Sequence, residues 1–235
     1  MIPNGRACVP ATSPIASDDR ARGARSTLVG VEFNDVIKRR RMVHAFTAEP
    51  LAPGTAERLL RAANRAPSAG FSQGYSFLLL EDKEQSAPLW QLLYEQTASE
   101  GTTQDDGPEQ VDALSTAPLV IVPMASKDVY LDRYAQPGKG WTDRDEARWP
   151  IPYWYVDTGF TALLILLAAV DEGLGAVFFG PPDIADFRAR FGVPATWTPI
   201  GAIAVGHPDP ANDPVAPAHA SDRKPLDELV HRGRW

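Results

Sequence analysis

Three short segments of the sequence have residue types suited to holding a ligand. The run RRRMVHAF, residues 39–46, offers guanidinium groups at a predicted helix end, and such planar forks suit a phosphate dianion. The stretch RAPSAGFSQG, residues 65–74, has small side chains through which a planar ring can approach, and we expect its backbone amides to be free. The run FFGPPD, residues 178–183, ends a predicted strand in a glycine, at the edge where open sheets bind ligands.

The sequence lacks the usual signatures of side-chain catalysis and of metal binding. Its four histidines show no metal-ligand spacing, and its single cysteine excludes a thiolate cage or a disulfide framework. It has no GxxxxGK[ST] loop and no GxSxG elbow. GLGAVFFG, residues 173–180, resembles half of a dinucleotide fingerprint, but its glycines follow a helix and precede a strand, the reverse of the required order. We therefore assign no catalytic side chain and expect a cofactor to carry the chemistry.

Composition narrows the possible partners. The 235 residues are 44% hydrophobic, enough for one globular domain with a real core. A net charge of -7 argues against nucleic-acid binding, which needs a basic surface, and favours a small-molecule substrate. The longest uncharged apolar run, Thr158 to Val170, is too short to cross a bilayer, so no membrane association is expected. The cysteine usage suits a cytoplasmic protein.

Helices and strands alternate along the chain. Helices are predicted over 32–43, from Thr55 (as the N-cap) to Pro67, around 88–96, and over 156–172 and 183–191; strands are predicted over 75–80, 117–124, 175–180 and 199–206. The strands are uninterrupted apolar runs, which indicates a sheet covered by helices on both faces and a three-layer α/β or α+β protein. The 156–172 helix is apolar on nearly every side, so it must be central or lie at an interface with another chain.

The segments outside these elements complete the predicted organisation. Residues 1–28 are expected to be a disordered leader, followed by a single domain over 29–235. Residues 126–155 form a polar and aromatic insert, expected to be a long loop, and 208–235 form a C-terminal arm. The arm ends in RKPLDELVHRGRW, which has enough apolar residues to dock, for example across a partner.

Four motifs in this order resemble the FMN-dependent nitroreductase family. The family's RRS-V-R-x-F opening is matched by RRRMVHAF, and its A-P-S-x-x-N-x-Q-P-W by APSAGFSQGY. In the family, an apolar helix leads into G-L-G and then into a strand that ends in glycine, and DEGLGAVFFG matches this pattern. DRKPLDELV matches the family's C-terminal basic pair. The resemblance runs from about Phe33 to Trp235. It implies an α+β fold, a three-layer α/β/α arrangement around a mostly antiparallel sheet, and an intertwined homodimer with two FMN sites built by both chains.

The resemblance also implies which residues bind the cofactor. The basic run would hold the FMN phosphate and ribityl chain, and the C-terminal basic pair would complete that clamp. The 67–73 segment, donated by the other subunit, would line the isoalloxazine edge, and the end of the 175–180 strand would place an amide near flavin N5. The positions so assigned are Arg40, Arg41, Met42, His44, Pro67, Ser68, Ala69, Gly70, Gln73, Phe179, Gly180, Arg223 and Lys224.

Several departures from the family pattern concern the second substrate. Met42 stands where serine is common, Phe71 replaces the usual asparagine, and Gly74-Tyr75 replaces proline-tryptophan. These changes leave a deazaflavin open as an alternative to FMN. The aromatic insert would be either a lid over the flavin or packing against the dimer partner. The residues assigned to the substrate pocket are Phe71, Tyr134, Trp141, Tyr153 and Trp154.

The predicted activity is an oxidoreductase that uses NAD(P)H to reduce an electron-poor organic acceptor. Nicotinamide would deliver hydride to flavin N5 and leave, and a nitroaromatic, quinone or enone would then take its place. Two alternatives remain: a flavin-dependent dehydrogenase or oxidase of a biosynthetic intermediate, and a module that binds flavin without turnover.

Overall fold

The computed structural model describes residues 32–100, 107–213 and 223–235, and only the backbone of 99 and 100. The predicted leader and part of the predicted arm lie outside the described residues. The helices in these ranges are α1 (Phe33–Arg39), α2 (Thr55–Ala63), α3 (Lys83–Glu100), α4 (Pro108–Leu114), α5 (Lys127–Tyr134), α6 (Tyr153–Asp171), α7 (Ile184–Phe191) and α8 (Leu226–Leu229). The strands are β1 (Tyr75–Leu80), β2 (Leu119–Ala125), β3 (Gly175–Phe179), β4 (Thr198–Pro199) and β5 (Ala202–Gly206).

The strands form one antiparallel sheet. Its order is β1-β2-β5-β3, and the short β4 also pairs with β2. Tyr75 lies opposite Ala125 at one end of the β1–β2 pair, and Phe179 lies opposite Ala202 in the β3–β5 pair. The class is therefore α+β, and the predicted antiparallel sheet is confirmed.

Helices cover both faces of this sheet. Because side chains alternate along a strand, Val120 and Val122 of β2 pack on one face with α3, α4 and α7. Leu119 and Ile121 pack on the other face with α2 and α6. Both faces are buried, which explains why the strands read as continuous apolar runs and confirms the three layers.

An extended segment after α1 runs beside β3. Met42 forms a parallel bridge with Ala176, and the Val43 amide donates to the Ala176 carbonyl at 3.1 Å. Gly175 must be a glycine here, because a Cβ would lie 2.9 Å from side-chain atoms of Val43. The segment therefore places the basic run at the start of β3, while Gly180 follows the other end of the same strand.

The structure corrects several local predictions. Helix α2 ends at Ala63, ahead of the predicted stop at Pro67, and the strand predicted over 199–206 is interrupted between β4 and β5. Helix α1 ends at Arg39, so Arg40 and Arg41 lie on extended chain rather than in a helix. Gly54, with φ 77°, is the N-cap of α2, and the Thr55 hydroxyl instead donates back to the Ala52 carbonyl at 2.7 Å. The insert is not a long loop throughout, because α5 occupies its first turns, and α4 was not predicted at all.

Helix α6 is the central helix of one layer, but one side of it is bare. By length and composition alone it would suffice to span a membrane, yet half of its most apolar window is buried in the fold. The helix was predicted over 156–172 and ends at Asp171; Gly173 follows with φ 75°, and Leu174 donates to the Ala169 carbonyl. Phe160 and Leu163 are 42% and 48% exposed, and Phe33 and Ile37 of α1 are also exposed. The described chain does not cover this apolar face.

Candidate functional site

The two central arginines of the basic run differ in their surroundings. Arg40 is half-buried, and its guanidinium has neither an ion pair nor a side-chain hydrogen bond to the described residues. Arg41 forms an ion pair with Asp213, whose side chain is only 3% exposed and also accepts from the His44 amide. Arg40 is thus available to an anion, whereas Arg41 already has a carboxylate partner.

His44 is held in its neutral form. Burial lowers the pKa of its imidazole; Asp213 opposes this shift and Arg41 reinforces it. Its Nδ1 atom is buried without a hydrogen-bond partner in the described part of the chain. A neutral imidazole beside Arg41 adds no charge to the basic run at pH 7.

The lowered pKa of His44 predicts a loss of stability in acid. The unfolded chain binds a proton at the ordinary histidine pKa, near 6.5, while the folded chain resists it, so stability falls as the pH drops below about 6.5. The variant His44→Gln is expected to lose less of its free energy of unfolding between pH 7 and pH 5 than the wild type. Urea titrations at both pH values measure the difference; equal losses in the two proteins contradict the assignment.

The Pro67–Gln73 segment, here called the glycine-serine segment, is conformationally strained. Gly70, Phe71 and Gln73 all have left-handed backbone angles, with φ of 60°, 55° and 52°. For the two residues that carry a Cβ, such a conformation costs on the order of 1–3 kcal/mol each. Phe71 is also 72% exposed. Strain of this kind persists where surrounding structure enforces it, and it clusters at ligand-binding sites.

The expectation that this segment offers freely available amides is largely wrong. The Phe71 and Ser72 amides donate to the carbonyls of Ser68 and Ala69, and the Gln73 amide donates to the Ser68 hydroxyl at 3.0 Å. The Ala69 amide donates to Asp157 at 2.7 Å. Within the described residues, the amides of Ser68 and Gly70 are left without an acceptor.

The aromatic insert packs directly on the glycine-serine segment. A Cβ on Gly70 would lie 2.7 Å from the Tyr134 ring, and Arg133 donates to the Gly70 carbonyl at 3.1 Å. Trp149 contacts two other aromatic rings of the insert: its ring centroid is 4.7 Å from that of Tyr134 and 5.4 Å from that of Trp141. The insert is thus a self-packed aromatic cluster that covers one side of this segment.

The residues assigned to the substrate pocket differ in exposure. Trp154 is 4% exposed and belongs to a buried cluster with Ala125 and Tyr130, so it offers little surface to a substrate. Tyr153 is 41% exposed, and Tyr134 and Trp141 are half-buried. Phe71 is the most accessible of the set.

Sequence reasoning missed two buried polar residues behind the segment. Tyr130 is fully buried on α5, and its hydroxyl donates to Asp157 of α6 at 2.6 Å. The signal for Asp157 was present, because it is the only charged residue between Tyr153 and Val170. A single carboxylate in so apolar a helix must find hydrogen-bond partners.

The end of β3 is the third predicted segment. Phe179 is half-buried and its ring stacks on Trp90 at 5.8 Å. Gly180 has open space where a Cβ would be, so packing within the chain does not require a glycine there. Arg223 and Lys224 are exposed ahead of α8.

The three segments do not meet within one chain. The antiparallel register places the start of β1 and the end of β3 at the same end of the sheet but on opposite edges. Three strand spacings of about 4.8 Å separate those edges by roughly 14 Å. A ligand at Gly180 therefore needs its second wall from elsewhere.

Comparison with known proteins fixes the family. The profile of the Nitroreductase family matches residues 37–207. The chain belongs to the nitroreductase family. It is 24% identical over 204 residues to an Archaeoglobus fulgidus protein named NADH dehydrogenase/NAD(P)H nitroreductase, a match that covers 85% of this chain and 97% of that protein.

Solved nitroreductase-family structures share the fold. A protein of Streptococcus pneumoniae superimposes with a TM-score of 0.63 at 22% identity, covering 86% of this chain and all of the other. A Clostridium acetobutylicum protein named as an NADH oxidase gives 0.58 at 26% identity, with 86% and 100% coverage. The nitroreductase-like fold predicted from the four motifs is confirmed.

The chemistry of the described residues fits FMN. Arg40 supplies a cation at the start of β3 that has no partner among the described residues, and Gly180 lies at the other end of that strand. A phosphate and a ring can therefore be bound at opposite ends of one extended ligand. The amides of Ser68 and Gly70 add donors that find no acceptor in the described ranges. In the described ranges, no group of three or more His, Cys, Asp or Glu side chains could hold a metal ion.

Proposed function

We propose that the protein is an FMN-dependent homodimeric oxidoreductase that uses NAD(P)H to reduce an electron-poor organic acceptor. Family membership and the names of the relatives support the reaction class. When bound, FMN would supply the redox chemistry, accepting hydride at N5 and passing it on. This chain would bind the phosphate with Arg40, line the ring with the glycine-serine segment and exclude water with the aromatic insert.

One observation carries this proposal: predicted ligand-binding segments adjoin opposite edges of the sheet. The end of β3 and the start of β1, which follows the glycine-serine segment, lie roughly 14 Å apart in one chain, by strand spacing. A second copy related by a two-fold axis brings the segment of one chain to the β3 edge of the other. Both sites of the dimer are then completed at once, as symmetry requires.

The bare apolar surfaces support the same dimer. Phe33 and Ile37 of α1 and Phe160 and Leu163 of α6 are exposed apolar side chains on two helices that contact each other. In the arm, Leu226 and Leu229 of α8 are 76% and 56% exposed, and Trp235 is 98% exposed. Apolar side chains in such number are covered by a partner in stable proteins, and an arm of this kind suits an interface between copies.

A charge on this face should separate the subunits and release the flavin. Leu163→Lys places an ammonium among the exposed apolar side chains of α6, and we expect a monomer that retains roughly a tenth or less of the FMN bound by the wild type. Asp171→Lys, an exposed position on the same helix, is the control and should stay dimeric. Light scattering after gel filtration, with absorbance at the flavin band, measures both properties; a dimeric Leu163→Lys protein with full FMN contradicts the interface.

The proposed class of electron acceptor depends on the aromatic insert. Phe71 is exposed and directly follows Gly70, against which the half-buried Tyr134 packs; these aromatic rings favour flat, apolar acceptors such as nitroaromatics and quinones over sugars or small acids. Steady-state assays with a quinone and a nitroaromatic test this, and Phe71→Ala should raise KM for both several-fold. Turnover of neither compound would favour a dehydrogenase or oxidase running in the other direction.

A further inference from the structure

Asp157 is a buried carboxylate that joins three separate parts of the chain. It lies in the second turn of α6, is 2% exposed, and has no lysine or arginine in ion-pair contact among the described residues. One of its oxygens, Oδ2, accepts from both the Ala69 amide at 2.7 Å and the Tyr130 hydroxyl at 2.6 Å. A buried carboxyl group with no cation beside it needs such hydrogen bonds to satisfy its oxygen atoms.

The Tyr130 bond ties the insert to this carboxylate. Tyr130 is fully buried, and burial together with its bond to Asp157 raises the pKa of its phenol, so the hydroxyl keeps its proton and donates. Its ring packs edge-on against Trp149 and Trp154, at 5.9 Å and 6.3 Å between centroids. Movement of the insert and loss of the Asp157 bond are therefore linked.

The Ala69 bond fixes the backbone where the glycine-serine segment turns. Ala69 immediately precedes Gly70 and Phe71, whose left-handed conformations are costly and must be enforced by neighbouring structure. The amides of Ser68 and Gly70, which have no acceptor within the described residues, flank the peptide that Asp157 holds. One buried oxygen thus sets the conformation of both unpaired donors.

We propose that Asp157 is the positioning residue of the flavin wall: its carboxylate holds the Ala69 peptide so that the glycine-serine segment is preformed before the cofactor binds. The proposal rests on the proposed function, because the wall matters only if flavin binds there. It assigns Asp157 no contact with the cofactor or the substrate. Its effect reaches the ligand through the backbone of Ala69 and Gly70 and, by way of Tyr130, through the insert.

Four variants separate positioning from general stability. Asp157→Ala removes the acceptor, whereas Asp157→Asn keeps an oxygen that can accept both bonds more weakly. Tyr130→Phe removes only the bond to the insert and leaves the Ala69 bond in place. Thr161→Val is the matched control, because Thr161 is fully buried on the same helix and its hydroxyl donates only to the Thr158 carbonyl.

The experiment measures amide hydrogen exchange in the full-length, FMN-free protein and then titrates FMN. For Asp157→Ala we expect exchange in residues 67–73 to accelerate by about tenfold or more and the FMN dissociation constant to rise about tenfold, because the hydrogen bond that holds the Ala69 amide is lost. Asp157→Asn should fall between Asp157→Ala and the wild type in both measurements. Tyr130→Phe should have the smaller effect on FMN, and Thr161→Val should change neither quantity.

The two readouts also separate this inference from the proposed function. If Asp157→Ala exchanges in residues 67–73 like the wild type or like Thr161→Val, or if it binds FMN as tightly as a flavin-binding wild type, the positioning role is overturned. If Asp157→Ala does not fold, Asp157→Asn gives the same decision by the same criteria. If the wild type binds no flavin but Asp157→Ala still accelerates exchange in residues 67–73, the proposed function is overturned and the positioning role is not.

Discussion

Replacing Arg40 with alanine is expected to raise the FMN dissociation constant by roughly tenfold to a hundredfold. A hydrogen bond to a charged group contributes about 1.5–3 kcal/mol, and each 1.4 kcal/mol changes the constant tenfold. Arg40 should carry more of this energy than Arg41, because Arg41 is already engaged by Asp213. Fluorescence titration of FMN into the apoprotein measures the effect.

The neighbouring arginine provides the control for this prediction. Arg39→Ala removes the same charge from an exposed position at the end of α1, and its FMN affinity should stay within about twofold of the wild type, since exposed charges contribute little. Equal losses in Arg39→Ala and Arg40→Ala would show that general positive charge, rather than a bound phosphate at Arg40, explains the effect. Unchanged affinity in Arg40→Ala would refute the phosphate assignment.

Replacing Gly74 with alanine is expected to destabilise the fold by about 2–3 kcal/mol and to lower the melting temperature by roughly 4–12 °C. A Cβ at this buried position would lie 2.4 Å from the Tyr130 ring and 2.9 Å from the Ser126 carbonyl oxygen. Neither neighbour can move easily, because Tyr130 is fully buried and Ser126 donates its amide to the Gly74 carbonyl. Thermal melts followed by circular dichroism measure the shift.

A second glycine serves as the control for the Gly74 variant. Gly107 precedes α4 with φ −78°, and a Cβ there would meet nothing within 4 Å. Gly107→Ala should therefore cost less than about 1 kcal/mol, the weak loss of a glycine N-cap. If Gly74→Ala melts at the same temperature as Gly107→Ala, Tyr130 does not pack against Gly74.

The Gly74 contact explains a departure that was visible in the sequence but not interpretable there. The family pattern has proline-tryptophan where this chain has Gly74-Tyr75. The structure shows that Tyr130 of the insert occupies the space a larger residue would need. The glycine at position 74 therefore depends on Tyr130 of the insert. The two positions are 56 residues apart, so no local sequence pattern shows this dependence.

Most of the fold could be predicted because its signals are local. Continuous apolar strands and the apolar α6 identify a doubly covered sheet, and Gly173 marks the end of α6. The helical start of the insert was missed because aromatic and charged residues between Lys127 and Tyr134 have no clear apolar stripe. Thr55 was assigned as a cap by residue type, but the left-handed Gly54 took that position.

The candidate site was less predictable because its interactions cross the chain. Asp157 lies 88 residues from Ala69, and Asp213 lies 172 residues from Arg41. These two carboxylates accept hydrogen bonds from the Ala69 amide and the Arg41 guanidinium, donors that were expected to bind a ligand. From RAPSAGFSQG we expected free backbone amides, but most of the amides in residues 68–73 donate within the segment or to Asp157.

The visible absorption spectrum of the purified protein, reconstituted with FMN, dialysed, and then mixed anaerobically with NADH or NADPH, tests the central claim most directly. We predict a yellow protein with one FMN per chain whose oxidised flavin absorption disappears with at least one of the two nucleotides. A protein that stays colourless after dialysis contradicts flavin binding. A yellow protein that neither nucleotide reduces contradicts the proposed reaction and leaves a flavin-binding protein without this turnover.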